Sequence, residues 1–338
     1  MFFLKNTYLC NPQMNELTTH IYSSNDTLPD GLMEENFFHS PQLFHLCRKT
    51  PRQQPFMVTV ETPDGEVVAQ MLAVLRRRAS WLPPYLYRQC RVVGEGVYHP
   101  DRPKDQLFDM MLQALKETIG RKSLFIEFSN LSQKMFGYKQ FRANSFFPVR
   151  WMSIHNSLHS HTPEERISEK MLQRIETCYK KGVVTDEVKN DTDFHAFSKL
   201  LRRHNWLKPK RYIPADEFFI GMKELGNTRL FTTRYHEYII GCSAVVYSER
   251  QAYLWYAAYR RKSFIKLHPD ELTIWHAIKD AHERGYEHIN FMDVGLPYSH
   301  NTFREFILSF GGKPVSTYRW FHCNTRWINS LLSWIYRD

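Results

Sequence analysis

Apolar residues recur at helical spacing in two segments of the chain, and each segment leads directly into a short apolar stretch. The segments are DQLFDMMLQALKETIG at residues 105–120 and DELTIWHAIKDAHERG at residues 270–285. Apolar positions three and four residues apart predict one inward side per helix, ending at Gly120 and Gly285. The first side comprises Leu107, Met110, Met111 and Ala114, and the second comprises Leu272, Trp275, Ile278 and Ala281. The stretches that follow, SLFIEFS and HINFMDV, predict a crossover from each helix to a neighbouring strand.

The same order of elements occurs twice along the chain. In each half two strands precede the helix, one strand follows it, and a Phe-Gly turn leads to a closing strand. The motif His99-Pro100-Asp101 recurs at His268-Pro269-Asp270, and FFPVRWMSI recurs as VSTYRWFHC. Such self-similarity predicts an internal duplication. We therefore predict an α/β (α+β) fold with mixed sheets flanked by helices, and domains at residues 1–158 and 159–325, followed by an amphipathic tail at residues 326–338.

The charge of the chain bears on its partners. The 338 residues include 45 Lys and Arg against 35 Asp and Glu, which gives a formal net charge of +10. This balance favours polyanionic partners such as tRNA, a nucleotide cofactor or an anionic membrane face, and no DNA is expected. Solubility alone is the alternative explanation of the same charge.

The cysteines and the apolar runs bear on the compartment. The six cysteines are scattered, without a C-x-x-C pair or a Cys/His spacing typical of zinc sites. We therefore predict thiols in a reducing compartment, with neither a disulfide framework nor a bound metal. The opening MFFLKNTYLCNPQ is too poor in apolar residues for a signal peptide, and no run of about 18 apolar residues occurs. We expect a cytoplasmic protein.

Three stretches of the second half resemble a known family. They are EYIIGCSAVVYSERQAYLWYAAY at residues 237–259, WHAIKDAHERGYEHINFMDVGLP at residues 275–297 and FREFILSFGGKPVSTYRW at residues 303–320. They resemble the strand pair, the helix-strand unit and the closing segment of the GNAT acyltransferase fold. Two such halves in tandem resemble the FemABX peptidyltransferases and their bacterial relatives. The resemblance covers about residues 50–325 and implies two tandem GNAT-like domains, with the active cleft in the second.

The resemblance also implies how such a site would work. GNAT enzymes splay two parallel strands, here LWYAAY and NFMDVG, so that backbone groups hold the acyl donor. A backbone N–H near Ala257 and Ala258 would polarise the acyl carbonyl. An acid or base and nearby proton donors are needed as well, and the catalytic candidates are Asp293, Tyr256, Arg304 and Tyr298. The alternatives are a strand-end role for Asp293 and core packing for Tyr256.

A basic loop separates the first of these strands from the second helix. Arg260, Arg261 and Lys262 occupy the place where GNAT enzymes hold the pyrophosphate of acyl-CoA, so they are the candidate donor-binding cations. The loop has no glycine, and Asp270 and Glu271 in the first turn of the helix would repel a pyrophosphate. A solvated basic loop is therefore the alternative to a phosphate grip.

The sequence does not determine the chemical class of the acyl donor. FemABX enzymes carry a lysine in the closing segment where this chain has Ile307. Acyl-CoA and aminoacyl-tRNA are both retained as donor co-substrates, and no cofactor is expected to be bound permanently.

A second basic patch follows the helices that open the second half. The candidate substrate-binding residues there are Trp206, Lys208, Lys210 and Arg211. Cations interleaved with aromatic rings suit a phosphate-bearing substrate or an RNA backbone. A merely solvated loop is the alternative.

The C-terminal segment RWINSLLSWIYRD is amphipathic. An apolar face at helical spacing is made by Trp327, Leu331, Trp334 and Ile335. Such a helix suits a peripheral position on the inner membrane surface beside a lipid-linked substrate, but we expect it to dock on its own domain.

These observations lead to one predicted function and one alternative. The predicted function is N-acyl transfer, in which an acyl or aminoacyl group passes to an amine of a cell-envelope precursor, polysaccharide or other small acceptor. The alternative is a catalytically inactive binding module for RNA or an anionic glycan, which the missing lysine and the glycine-free loop favour. Turnover with any acyl donor separates the two.

Overall fold

The computed structural model describes residues 17–79, 85–206, 212–292, 294–297 and 301–336. The strands in these ranges are β1 (Thr18–Tyr22), β2 (Gln53–Glu61), β3 (Val67–Ala79), β4 (Leu86–Val93), β5 (Val97–Tyr98), β6 (Phe125–Ser129), β7 (Phe147–Ser157), β8 (Val183–Glu187), β9 (Thr228–Tyr235), β10 (Tyr238–Ser248), β11 (Gln251–Tyr259), β12 (His288–Phe291) and β13 (Lys313–Cys323). The α-helices are α1 (Pro41–Lys49), α2 (Lys104–Ile119), α3 (Tyr138–Ala143), α4 (Pro163–Arg166), α5 (Glu169–Lys180), α6 (Asp191–Asn205), α7 (Asp216–Glu224), α8 (Pro269–Glu283), α9 (Thr302–Leu308) and α10 (Arg326–Ile335).

One mixed sheet runs through the described part of the molecule. Its strand order is β1-β2-β3-β4-β6-β13-β7-β12-β11-β10-β9-β8, with β5 beside β3. From β2 to β7 and from β9 to β13 the strands and helices follow the same order apart from the short β5, but the closing strands are exchanged. The closing strand β13 of the second half pairs with β6, and β7 of the first half pairs with β12. The two halves are therefore joined through the hydrogen bonds of a continuous sheet.

Helices cover both faces of this sheet and create three apolar clusters. The first cluster lies between the halves, where α1 and α7 contact each other and α6 packs on β10 and β11. The second lies on the opposite face of the second half, under α5 and α8. The third lies in the first half, between α2 and the strands β2 and β3. The mixed α/β architecture predicted from the sequence is present.

Helix α8 confirms the pattern predicted for it. The residues of its predicted inward side are all buried: Leu272, Trp275, Ile278 and Ala281. The helix ends at Glu283, and Gly285 follows with a left-handed φ of +79°, while its N–H donates to the His282 carbonyl over 2.9 Å. The local sequence therefore determines both the buried side and the end of this helix.

Helix α2 differs from its prediction in two respects. Its buried side is wider and rotated, because Phe108 packs against rings of Phe128, Phe136 and Phe141 while the helix contacts β1, β2, β3 and α3. Met110 and Ala114 are only half-buried. The repeated His-Pro-Asp motif is also not equivalent in the two halves. Pro269 is the first residue of α8, whereas the motif before α2 lies in a turn that ends ahead of Lys104.

Two further features are the absence of a membrane-spanning helix from the described residues and the burial of four cysteines. Among the described residues no helix has both the length and the apolar character needed to cross a membrane. Cys47, Cys90, Cys178 and Cys242 are buried free thiols. Burial raises the pKa of Cys47 and of Cys90 to about 12, so these thiols stay protonated and unreactive at neutral pH.

The C-terminal helix α10 contradicts the prediction that its apolar side docks on its own domain. Trp327 is 69% exposed and Trp334 is 66% exposed, and Leu331 and Ile335 are exposed as well. The helix is attached through other residues, among them Asn329 and Tyr336, whose ring stacks on Phe147 with the ring centroids 6.0 Å apart. Asn329 is buried, and its Nδ2 donates to the Ser145 carbonyl over 2.9 Å. Because the polar side is used for attachment, the apolar side faces outward.

Candidate functional site

The parallel strands β11 and β12 separate partway along their length. They pair from Gln251 with His288 to Leu254 with Phe291, and no further pairing between them occurs among the described residues. Beyond that point β11 continues along β10 to Tyr259, and the register with β10 shifts so that Trp255 forms a bulge. A bulge increases local twist, so it helps to turn β11 away from β12. The result is a cleft at the carboxyl ends of two parallel strands, as the sequence predicted for LWYAAY and NFMDVG.

The corresponding strands of the first half stay together. β4 and β6 pair up to Val93 with Ser129, and the N–H of Gly94 then donates to the Ser129 carbonyl over 2.8 Å. Along their described lengths β4 and β6 therefore do not separate as β11 and β12 do.

A cavity of about 710 Å³ lies at this opening, between the two halves. The second half contributes part of β11, the start of α8 and the segments around α9. The first half contributes one face of β3, β4 and β6, and the exchanged strands β7 and β13 complete the wall. The lining residues used below are Arg76, Arg78, Gln89, Arg91, Glu127, Trp151, Tyr256, Ala257, Arg261, Asp270, Gly295, Asn301 and Arg319.

Three of the residues predicted for donor binding and catalysis line this cavity. They are Tyr256, Ala257 and Arg261. The Tyr256 ring also packs against Phe219, with ring centroids 5.2 Å apart, so that one side chain serves both the core and the cavity wall. Ala258 is fully buried in the apolar cluster between the halves and does not line the cavity.

The structure places four other predicted residues outside the cavity lining. The Arg260 guanidinium lies over the Phe264 ring at 5.7 Å, and Lys262 is exposed. Trp206 is 83% exposed. Arg304 donates from Nη1 to the Leu296 carbonyl over 2.7 Å, which holds the segment that follows β12. Five further predicted residues lie outside the described ranges: Asp293, Tyr298, Lys208, Lys210 and Arg211.

The acidic first turn of α8 does not present two bare carboxylates to the cavity. Glu271 is buried and accepts two hydrogen bonds from Arg174, over 2.8 and 3.1 Å. Asp270 lines the cavity, and its Oδ2 lies 3.3 Å from Arg261 Nε. The predicted repulsion of a pyrophosphate by both acids is therefore reduced by pairing with arginines.

Asp270 has the environment of a functional carboxyl group. Only 4% of the residue is exposed. Burial raises the pKa of this carboxyl above its ordinary value, and the nearby Arg261 charge opposes part of that rise. A cavity carboxyl group with a raised pKa is a common feature of acid–base sites. The sequence had shown Asp270 only as an obstacle to phosphate binding.

A second buried carboxyl group, Glu127, lies on the first-half wall. It accepts a hydrogen bond from Arg319 Nη1 over 2.9 Å, and Arg91 Nε lies 3.8 Å from the same oxygen. Its other oxygen accepts from Gln89 Nε2, and Gln89 Oε1 accepts from Arg78 Nη1 over 2.9 Å. This group is called the Glu127 network below. The one local feature that marks Glu127 is that it is a single acid inside the apolar strand FIEFS.

The Glu127 network leaves the wall with a surplus of positive charge. Four arginines and one glutamate line this face among the described residues: Arg76, Arg78, Arg91, Arg319 and Glu127. Arg76 Nε is buried without a hydrogen-bond partner in the described part of the chain, while its guanidinium stacks over Tyr212 at 5.0 Å. Arg319 lies over the Trp151 ring at 3.8 Å. Such a wall favours an anionic group.

The rim of the cavity after β12 has a conformation that requires glycine. Gly295 has a φ of +93°, and a Cβ there would lie 2.7 Å from Asn301 Nδ2. Asn301 caps α9 by accepting hydrogen bonds from the N–H groups of Phe303 and Arg304, and its Nδ2 donates to the Val294 carbonyl over 2.9 Å. Only a residue without a side chain fits between this cap and the cavity.

Comparison with known proteins agrees with this geometry. Residues 169–300 match the acetyltransferase (GNAT) domain family. The structure resembles that of FemX with a TM-score of 0.62 and 11% identity, over 88% of this chain and 94% of FemX. No curated protein sequence matches the chain.

Two further solved structures show the same likeness. L-PGS from Bacillus licheniformis has a TM-score of 0.57 and 11% identity, over 87% of this chain and 93% of that one. A tandem GNAT protein from the clavulanic acid biosynthesis pathway has a TM-score of 0.53 and 12% identity, over 91% and 99%. Residues 169–300 thus match the GNAT acetyltransferase domain family, and the chain as a whole has the tandem GNAT fold.

Proposed function

We propose that this chain is an N-acyltransferase of the FemABX-like class, which transfers an acyl or aminoacyl group to an amine of a cell-envelope precursor, polysaccharide or other small acceptor. One observation carries the proposal: β11 and β12 diverge after Leu254 and Phe291 at the wall of a 710 Å³ cavity. The match of residues 169–300 to a GNAT domain supports the same chemistry.

The proposed reaction needs few side chains. The amine nitrogen forms a bond to the acyl carbon, the bond to the donor's leaving group breaks, the amine loses a proton and the leaving group gains one. Backbone N–H groups of β11 near Tyr256 and Ala257 would hold the carbonyl oxygen as negative charge develops on it. The cavity between the halves would bring acceptor and donor together and exclude bulk water.

Asp270 is the described residue best suited to the proton transfers. It is buried, lines the cavity and has a raised pKa, so it can exchange a proton closer to neutral pH than an ordinary aspartate. Asp293, which the resemblance to GNAT enzymes favours, stays a second candidate for the same role.

The arginine-rich wall supports an acceptor or donor that carries an anionic group. Arg76 Nε is buried and has no hydrogen-bond partner among the described residues, and a phosphate or carboxylate oxygen would satisfy it. The Glu127 network would hold the neighbouring arginines in fixed orientations for such a group. An envelope precursor bearing phosphate meets this requirement.

The donor is proposed to be acyl-CoA or aminoacyl-tRNA. Ile307, which replaces the FemABX lysine, is fully buried in the second apolar cluster, so that position offers no contact to a charged donor. The Arg261 side chain lines the cavity and supplies a cation on the side that we propose for the donor.

Calorimetric titration with coenzyme A and acetyl-CoA, at moderate salt, tests the donor. Arg261→Ala should weaken micromolar binding about tenfold, which corresponds to about 1.4 kcal/mol. Arg260→Ala is the matched control. It removes the same charge at the neighbouring position, where the Arg260 side chain packs on Phe264 instead of lining the cavity.

Each outcome has a defined meaning. Equal weakening in both variants would show that only the net charge of the loop matters, and would contradict a specific role for Arg261. No binding of either ligand would point to aminoacyl-tRNA or a carrier-bound donor. Salt-dependent RNA binding without turnover of any acyl donor would favour the inactive binding module instead.

A further inference from the structure

The apolar side of α10 is the largest exposed hydrophobic feature near the C-terminal end of the described chain. Trp327, Leu331, Trp334 and Ile335 are between 47% and 69% exposed. Asn329 fixes the opposite side of the helix to the protein, through Ser145 and through the N–H of Cys323, which donates to Asn329 Oδ1 over 2.8 Å. The orientation of the apolar side is therefore set by buried polar contacts.

Basic grooves flank α10. A groove of about 800 Å³ runs along the helix, and its charged lining comprises Lys116, Glu117, Arg121, Arg142 and Arg326. A second groove of about 340 Å³ adjoins the start of the helix, and its charged lining comprises Arg77, Arg88, Arg121 and Lys122. Arg121 and Asn324 border both grooves, so the two adjoin each other. We call α10 and these grooves the basic face.

The basic face combines a cationic surface with exposed aromatic residues. Its described lining holds seven cations and one carboxylate, Glu117, and none of the seven has a carboxylate within ion-pair distance among the described residues. Leu86 at its far end is 60% exposed. Tryptophan favours the boundary between lipid headgroups and acyl chains, and lysine and arginine favour anionic headgroups.

We propose that the basic face binds the surface of an anionic phospholipid bilayer, with the apolar side of α10 in the headgroup region and the cations on lipid phosphates. A symmetric contact between two copies would bring the same cations against each other, which disfavours self-association through this face. An anionic bilayer matches both parts of the basic face. Its phosphates attract the cations, and its headgroup region accommodates the apolar side of α10.

The basic face and the reaction cavity share a strand. On β3, Arg77 lines the second groove, whereas its neighbours Arg76 and Arg78 line the cavity, because alternate side chains of a strand point to opposite faces. The basic face and the cavity therefore lie on opposite faces of the sheet at β3, so a bilayer bound at the basic face would be separated from the cavity by the sheet. The proposed membrane binding does not rest on the proposed acyl transfer.

Cosedimentation of the full chain with sucrose-loaded vesicles tests the proposal. Vesicles of phosphatidylcholine alone are compared with vesicles containing about one third phosphatidylglycerol. The wild type should sediment only with the anionic vesicles. The variant Trp327→Ser/Leu331→Ser/Trp334→Ser should lose at least tenfold in the partition coefficient. The variant Arg121→Gln/Arg142→Gln/Arg326→Gln should lose more, since each cation near an anionic surface contributes about fivefold.

Matched controls separate the basic face from general charge and general apolarity. Lys170→Gln/Lys180→Gln/Lys181→Gln removes three exposed charges from α5 and its end, and Tyr238→Ser/Ile265→Ser removes exposed apolar groups elsewhere in the second half. Both controls should bind as the wild type does. Circular dichroism shows whether each variant is folded. If the α10 variant does not fold, the arginine variant still tests the proposal.

Several results would overturn the proposal. These are equal binding to neutral vesicles, equal losses in the α5 control, or no vesicle binding at all. A wild-type dimer that the α10 variant converts to a monomer would assign this side to self-association instead. If the protein transfers acyl groups to soluble acceptors but binds no vesicles, the proposed membrane surface is refuted and the proposed reaction is not.

Discussion

Arg319 Nη1 donates a hydrogen bond to Glu127 over 2.9 Å, and this contact joins residues 192 positions apart in the chain. Glu127 lies on β6 of the first half and Arg319 on β13 of the second half, which are neighbours only because the closing strands are exchanged. The contact therefore unites the halves of the molecule at the wall of the proposed reaction cavity.

Glu127→Gln should destabilise the protein. The change removes the charge that Arg319 and Arg91 share in a buried site, and breaking a buried ion pair costs about 3–5 kcal/mol. Urea denaturation measures the loss. Glu305→Gln, which removes a carboxylate from an exposed position on α9, is the control. Equal stability of Glu127→Gln and the wild type would contradict a structural role for the Glu127 network.

Gly295→Ala should cost more stability than a glycine replacement at an open turn. At Gly295 the added Cβ meets Asn301 Nδ2 at 2.7 Å and the backbone has a φ of +93°, whereas Gly65 has a φ of +82° with no atom within 4 Å. Gly65→Ala therefore reports backbone strain alone, about 1 kcal/mol. Thermal denaturation of both variants isolates the steric part. Equal losses would show that the Asn301 cap yields without cost.

Asp270→Asn and Asp293→Asn together identify the acid or base. Loss of the catalytic group should lower kcat by about 10²- to 10⁴-fold while the protein stays folded. A raised pKa delays the ionisation of a carboxyl base to higher pH. The wild-type rate should therefore rise with pH above the ordinary carboxyl range, and Asp270→Asn should abolish that rise. A rate that is unchanged in Asp270→Asn but lost in Asp293→Asn would transfer the role to Asp293.

The folded state should lose stability as the pH falls from 6.5 towards 3, in part through His39. Complete burial lowers the pKa of His39 from 6.5 to about 3, and the N–H of Gly96 donates to its Nε2 over 2.9 Å. The unfolded chain binds this proton at a higher pH than the folded chain, so its contribution is present above pH 6.5 and lost as the pH falls.

Urea denaturation at stepped pH measures this acid sensitivity. His39→Gln should lower stability at neutral pH but flatten its dependence on pH, by a few kcal/mol over the window at most. His236→Gln, which changes an exposed histidine in the turn between β9 and β10, is the control. An unaltered pH slope in His39→Gln would show that other groups set the acid limit.

Local pattern predicted the elements that bury one continuous side. The spacing in DELTIWHAIKDAHERG gives the buried side of α8 and its end before Gly285, and the paired strands around it follow the predicted order. The cleft between β11 and β12 also follows, since the resemblance to GNAT strands rests on the same local stretches. Such features depend on neighbouring residues, so the sequence contains them directly.

Contacts between distant strands were beyond this kind of prediction. The sequence showed Glu127 as one acid in an apolar strand and Arg319 as one cation in a closing strand, but not that they meet. It showed the apolar side of α10 but not that Asn329 would turn it outward.

The sequence by itself determined which residues of each element are apolar and where α8 ends, because helical and strand periods are local. Only the tertiary structure decided which elements cover those residues. The exchange of β7 and β13 placed arginines of the first half opposite the open strands of the second. Pairing of sheet edges depends on the free energy of the whole assembled sheet, to which residues far apart contribute together, and no local pattern encodes that sum.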